Sequence, residues 1–540
     1  MKKHTAHILS GVLAAMVAFG TFAAGGEPVY AAEAPADHIV RVALTSYGEP
    51  ASFSMRASGA HTVADNGAAL SGAFTVEANS AGILLVLSGG GSWQLDGDVL
   101  IAAGSASTEN LIQISGAYKF AGDLRIVKTG SGLKLINHVN LDTYVAGVLP
   151  YEMNSAWPVE ALKAQAVAAR TYAVWRMKEI TRAAVSYDLT NGENSQVYNG
   201  WNDSYTNVIA AVKQTKNQVL QTPSGGAVYA CYSASNGGYT ETGAASGAAA
   251  RDYDYLAYKE DPYDLAMALG STAYSGKVTI PKTLAAKDVR KSNAQPYKMI
   301  RTKLKSAGVN VAGLDNPVTV KSVTLTTPRY SNPDRAYIGV TIKVRVPKIG
   351  GASAKTYTLK FAPYKPAGSK AKYPYLNKAL GLGTKFQMYS LREDGDSWLL
   401  AVVRYGHGAG LSQIGAYQMA KKGMAVGDIL AFYYGLGEAT KLVEMPWPDV
   451  QGGASTIAAP TVVTAATKSS TKTVKVNLTG KVKVDSTTVL NVRKGAGLDY
   501  KVIGALKNGT KVKISREKGD WYRIKFGSGY GWVNKAYVKV

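Results

Sequence analysis

Between Tyr144 and Trp175 the chain reads YVAGVLPYEMNSAWPVEALKAQAVAARTYAVW, and few folds accommodate such a stretch. An apolar run, Tyr144 to Leu149, ends at Pro150. After a short polar segment, Pro158 suits a first helical turn, where a missing N–H costs nothing. Glu160 in the same turn favours the positive end of the helix dipole. Ala161, Ala164, Ala166, Ala168, Ala169 and Ala173 leave most of the helix surface small, so a neighbouring backbone can approach closely and the helix is expected to be buried. Lys163, Gln165 and Arg170 interrupt that surface and require partners or solvent.

The polar segment carries one acid, Glu152, which the pattern places in a tight turn beside Tyr151 and Met153. Apolar neighbours raise a carboxyl pKa, which a general acid at neutral pH requires. The same residues also allow a structural role, in which Glu152 caps the helix or pairs with Arg170.

The stretch closely resembles the core motif of the SpoIID/amidase-enhancer family of bacterial cell-wall proteins. The resemblance runs from Tyr144 through Gly147, Val148, Glu152, Met153, Trp157 and Pro158 to Ala173, with Asn154 where the family has proline. A second signature, Gly406-His407-Gly408-Ala409-Gly410-Leu411-Ser412-Gln413-Ile414-Gly415-Ala416, is similar to the family's, with Leu411 in place of methionine. Ser235, Gly237, Gly238 and Thr240 align with a Ser-x-Gly-Gly-x-Thr loop, where glycines let backbone approach a ligand and hydroxyls can bond sugar. Tyr255-Leu256 and Asp261-Pro262-Tyr263-Asp264 match a further family segment. The resemblance places the family's catalytic acid on Glu152. Ser235, Gly237, Gly238, Thr240, His407, Ser412, Gln413 and Arg170 are the candidate substrate-binding residues. His407 could orient substrate, donate to Glu152 or satisfy buried carbonyls.

The activity implied is that of a lytic transglycosylase, which cleaves glycan between N-acetylmuramic acid and N-acetylglucosamine and leaves 1,6-anhydro ends. Its substrate would be peptidoglycan strands whose stem peptides have been removed. A hydrolase normally needs a second carboxylate, and Asp188, Glu241 and Asp254 are the candidates. The alternative is a non-catalytic, wall-binding enhancer of a separate amidase. A cysteine peptidase using Cys231 and His407 is disfavoured, because Cys231 sits in the strand-like apolar run Ala227–Tyr232 with no signature around it. Some family members bind zinc through His and Cys after the core helix. Here Asp188 to Tyr198 holds neither, so no metal or other cofactor is expected.

The chain's 540 residues leave room for several domains, and its formal charge of +24 points to an anionic partner such as teichoic acid or peptidoglycan carboxylates. No nucleic-acid-binding motif is present. Cys231 is the single cysteine, so no intramolecular disulfide can form. Lys2 and Lys3 precede an apolar run from Ile8 to Ala24, and Val29-Tyr30-Ala31 offers a cleavage site. Residues 1–31 therefore read as a signal peptide, and the protein as secreted and wall-associated.

The fold class expected is α+β. Residues 38–140 form a β-rich N-terminal part, including Ile39–Leu44 and Leu124–Val127, and 141–448 a mixed α/β core. Residues 449–480, rich in Ser, Thr, Ala, Gly and Pro from Gln451 to Lys472, read as a linker. Residues 481–540 resemble a bacterial SH3 domain, a small all-β barrel, through Leu490-Asn491-Val492-Arg493, Trp521-Tyr522-Arg523-Ile524 and Gly531-Trp532-Val533. They hold 14 Lys and Arg against four Asp and Glu. Trp521, Tyr522 and Trp532 are the candidate wall-binding residues.

Overall fold

A computed structural model describes residues 39–105, 107–116, 118–179, 186–249, 251–331, 333–444, 473–483, 489–496, 502–518, 521–527 and 529–540. The segments expected to be a signal peptide and the Gln451–Lys472 linker lie outside the described residues. The chain divides into two compact units, one within residues 39–444 and one within residues 473–540.

The first unit opens with an 11-stranded sheet. Strand β1 (Ile39–Ala43) runs antiparallel to β3 (Leu133–Asn140), and β3 antiparallel to β2 (Asp123–Lys128). A long hairpin, Ser52–Val63 with Ala68–Asn79, extends the sheet. Alternate residues point inward, so Phe53, Met55, Phe74 and Val76 are buried while their neighbours face solvent. The core of this sheet is continuous with that of the helices that follow, so the β-rich part and the helical motif share one hydrophobic interior.

Helix α1 (Leu141–Glu152) begins directly after β3. The Asn140 side chain caps it, accepting from the N–H groups of Asp142 (2.9 Å) and Thr143 (3.4 Å). Pro150 lies inside the helix rather than ending it, and Glu152 is its last residue rather than part of a turn. The proline removes one N–H so close to the end that little helix remains to be disrupted. Gly147 is required here, since a Cβ would lie 2.6 Å from both the Gly200 carbonyl and the Tyr198 ring.

Helix α2 (Val159–Glu179) is buried along the alanine face, with Ala161, Ala164, Ala166, Ala168, Ala169 and Ala173 all fully enclosed. Pro158 stands just before it, its carbonyl accepting from Ala161 at 3.0 Å. Lys163 pairs with Glu160 at 2.7 Å, and Gln165 is fully buried. Arg170 does not meet Glu152. It is wholly buried, holds Asp142 at 2.6 Å, and spends its other donors on the carbonyls of Gln218 and Val212. Its burial and these bonds give it a structural role that ties α2 to α1.

Of Ala227–Tyr232, only β4 (Tyr232–Ser233) belongs to a named strand, and Ala227 makes a lone bridge to Gln221. Helix α3 (Pro262–Gly270) follows, capped by Asp261. A lobe then intervenes, built on a four-stranded antiparallel sheet: β5 (Thr283–Leu284), β6 (Val318–Tyr330), β7 (Arg335–Val346) and β8 (Lys355–Phe361). Its core, including Ile300, Leu304, Ile342, Val344 and Phe361, is separate from the first. The chain returns through β9 (Leu411–Ser412), parallel to β4, into α4 (Gln413–Lys421) and α5 (Val426–Tyr434).

The second unit is a seven-stranded antiparallel sheet around Val482, Val492, Val512, Ile514, Ile524 and Val533. It takes in β10 (Val474–Val482), which pairs with Lys511–Lys518, so the sheet starts upstream of residue 481. Its other named strands include β11 (Trp521–Phe526) and β12 (Gly529–Asn534). Trp521, Tyr522 and Trp532 are half-buried, whereas Tyr530 and Tyr537 stand most exposed.

Breaking one side of a buried ion pair strands the other charge. Arg170→Ala should therefore lower the unfolding free energy by about 3–5 kcal/mol, measured by urea denaturation of the full chain.

Candidate active site

Glu152 ends α1, where the helix dipole is negative and disfavours an anion. Protein surrounds its partly exposed carboxyl, and this burial is the largest influence, raising its pKa from the usual carboxylate range to about 7. Three donors act in the opposite direction. The Gln413 amide donates to Oε2 at 3.2 Å, and the Val197 N–H and the Tyr232 hydroxyl also bond the carboxyl. The exposed Glu193 adds a little repulsion.

The Tyr232 proton has a defined direction. Tyr144 donates its hydroxyl to Gln196 Oε1 at 3.1 Å, which turns the Gln196 amide nitrogen toward Tyr232. That nitrogen donates to the Tyr232 oxygen at 2.9 Å. Tyr232 therefore gives its own O–H to Glu152. Burial holds both phenols far above their ordinary pKa, so they stay protonated.

Gln413 reaches Glu152 from a sequence distance of 261 residues. A buried carboxylate, Asp264 on α3, places it. Asp264 accepts from the Ser235 hydroxyl (3.0 Å), the N–H groups of Asn236 (2.8 Å) and Gly238 (3.0 Å), and the Ser412 hydroxyl (2.6 Å). Ser412 in turn caps α4, accepting from Gly415 at 3.0 Å, and Gln413 is the next residue. Asp261 stands beside Asp264 and accepts from Tyr433 and the Asn236 side chain, both at 2.7 Å. Arg404 joins the two glycine loops, donating to the carbonyls of Asn236 (2.9 Å) and Tyr239 (3.1 Å). The backbone at Gly410 has φ +65°, and a Cβ there would strike the Cys231 carbonyl.

Of the residues singled out in the sequence, the structure brings Glu152 and Gln413 together. Ser235, Thr240 and Ser412 are buried, with their hydroxyls committed to Asp264 or, for Thr240, to the Ala257 carbonyl. Those bonds tie the loop together from within. Gly237 packs on Arg404 and Gly238 on Leu265, so both serve internal close approach. His407 Nδ1 accepts from Ala409 at 3.1 Å. Burial lowers its pKa to about 4, so the ring is neutral. Asp188 is held by Arg41 at 2.8 Å and Glu241 by Arg335 at 2.7 Å, while Asp254 is exposed. Burial pushes the Cys231 thiol up to about 12, which removes it as a nucleophile at neutral pH. Among the described residues no group of three or more His, Cys, Asp or Glu could hold a metal ion.

Sequence reading missed Tyr232, Gln196, Glu193 and the Asp261–Asp264 pair as parts of the site. The acid pair lay in a quoted family segment. Tyr232 closed an apolar run that pointed only to burial.

Fold and site define an α+β protein in which the Glu152 carboxyl is held near neutrality at the end of a buried helix. Residues 129–221 match the family model of the Stage II sporulation protein, SpoIID, and residues 488–539 that of a bacterial SH3 domain. The chain is 32% identical over 298 residues to the amidase enhancer of Bacillus subtilis, covering 53% of this chain and 39% of that protein. It is 26% identical over 314 residues to stage II sporulation protein D of the same organism, covering 55% and 74%. It is 49% identical over 70 residues to bacteriocin BCN5 of Clostridium perfringens, covering 13% and 8%. The chain thus carries a SpoIID region and a bacterial SH3 domain, and spans well under half the length of the amidase enhancer it matches.

A donor to a carboxylate favours the ionised form and lowers its pKa. Gln413→Leu should therefore move the Glu152 titration upward from about 7. Infrared difference spectra of the carboxyl band, recorded against pH for the native and variant proteins, check this. An unmoved midpoint would show that Gln413 does not act on the acid.

Proposed function

We propose that this is a cell-wall enzyme that cleaves peptidoglycan strands as a lytic transglycosylase. The observation that carries the reading is the Glu152 carboxyl, poised near pH 7 by burial and a helix end against three donors. Below about pH 7 the acid holds its proton. It gives that proton to the glycosidic oxygen as the bond from the muramic C1 breaks. The resulting carboxylate takes the proton of the muramic C6 hydroxyl, whose oxygen then bonds C1. The product is a 1,6-anhydro sugar, no water is consumed, and Glu152 ends protonated. One carboxyl serves both steps.

The relatives' names support a cell-wall role, and they also favour a second reading, because one of them is called an amidase enhancer. In that reading the chain binds wall and stimulates a separate amidase. The SH3 domain supports wall attachment in either case, with the basic charge of residues 481–540 suited to anionic polymers. Export to the wall is part of the same proposal.

The test is mass spectrometry of products from strands freed of stem peptides. Glu152→Gln keeps shape and hydrogen bonding but has no carboxyl proton, so turnover should fall by roughly 10²–10⁴-fold and anhydro ends should vanish. Reducing ends from the native enzyme would instead indicate hydrolysis, with Glu193 the acid to examine. If neither protein cuts glycan but both stimulate an amidase equally, the enhancer reading holds. A chain ending at Gln451 should digest soluble glycan at the native rate yet sediment less with intact sacculi. Equal sedimentation would remove the binding role of the tail.

A further inference from the structure

The lobe between α3 and Arg404 carries most of the protein's charge. Residues 271–400 hold 23 lysines and arginines against six acids, a net +17 of the chain's +24. Part of that charge is arranged. One face of the β5–β8 sheet packs on the lobe core through Val318, Val320, Val340, Ile342, Val344 and Leu359. The register of the opposite face falls into three cross-strand rows. The first is Thr283, Thr319, Arg345 and Thr356. The second is Ser322, Lys343 and Thr358, and the third Thr324, Thr341 and Lys360. Every row has one cation among hydroxyls, on both sides of it in the first two rows and on one side in the third, where Lys360 stands on the edge strand, and none has an acid or an aromatic ring. Lys343, Arg345 and Lys360 are exposed, as are Thr283, Thr324, Thr356 and Thr358. Among the described residues, no ion pair involves these three cations.

A protein without a partner for such a face gains nothing from aligning its cations. Like charges on a sheet repel, and alternating signs would stabilise it better. The rows repeat every second residue, about 6.8 Å apart along the strand. We propose that this face binds a linear phosphodiester polymer of the wall, one phosphate per row. The cation would meet the charge, and the neighbouring hydroxyls of its row would donate to the remaining oxygens. A planar carboxylate offers two oxygens and would leave hydroxyls unused. A nucleic-acid strand would look for aromatic rings on which to stack its bases, and none lies in these three rows. The surface is independent of the SH3 domain and of Glu152, so the proposal goes beyond the catalytic reading and does not rest on it.

The experiment uses the full chain and lipid-free poly(glycerol phosphate) at fixed ionic strength, with binding measured by calorimetry. In one variant Lys343, Arg345 and Lys360 are each changed to Glu. In a control, Lys287, Lys291 and Lys298, exposed elsewhere on the lobe, are changed likewise. A third variant carries Gln at the three face positions, and circular dichroism checks the fold of all three. We expect at least a tenfold loss of affinity in the face variants and less than threefold in the control. Cleavage of soluble, phosphate-free glycan should be unchanged, so a failure of the catalytic reading would be seen separately. Equal losses in face and control variants would reduce the effect to bulk charge and overturn the proposal. So would binding of polyglutamate or a DNA oligonucleotide as tight as that of the phosphodiester polymer.

Discussion

Four hydrogen bonds converge on the Asp264 carboxylate, and the site exists because of them. They gather the loop after β4, the start of α4 and α3 around one buried charge. A carboxylate far from water is costly unless its lone pairs are filled, and here the filling groups are the loop termini themselves. Burial, with the neighbouring Asp261 next, still raises its pKa to about 7. The arrangement is rigid because donors from separate segments meet on one carboxylate, the Gly238 N–H being shared with Asn236 Oδ1 at 2.9 Å. Gln413 inherits that rigidity through Ser412, which bonds Asp264 with its hydroxyl and caps the helix that Gln413 begins.

Glu152 shows the opposite design. Its environment is a balance, with desolvation and a helix C-terminus on one side and three donors on the other. A fully stripped carboxyl would hold its proton too firmly to give it up, and a fully bonded one would never carry it. The Tyr144–Gln196–Tyr232 chain sets one donor by fixing which way an amide faces. Groups one step behind Glu152 therefore help to set its acidity.

The local part of this was legible in the sequence. Alanine spacing foretold a buried α2, and alternation marked strands such as Ile39–Ala43 and Leu124–Val127. Glu152 and Gln413 stood out through the two signatures. What the residues could not disclose was direction. Ser235, Thr240 and Ser412 are hydroxyls in glycine-rich loops, and whether they turn outward to sugar or inward, to Asp264 or for Thr240 to the Ala257 carbonyl, depends on segments elsewhere in the chain. Arg170 stood out as a lone cation in an alanine helix, but its partner Asp142 lies 28 residues earlier on α1. Pro150 looked like a stop because proline disfavours helices. Its position near the end of α1 made the cost small. Tyr232 read only as part of a hydrophobic run, since a phenol's role rests on the atom its proton points to.

The order of the chain adds a consequence in time. Glu152 is made early, on a helix whose core is completed by neighbouring strands. Its amide partner follows 261 residues later, after the whole basic lobe. Contacts so distant form slowly, because the intervening loop must close first. A chain still emerging from the ribosome would hold the acid without its amide partner. The acid and its ring of donors become one apparatus only when the last helices arrive, which makes completeness of the polypeptide a condition of its chemistry.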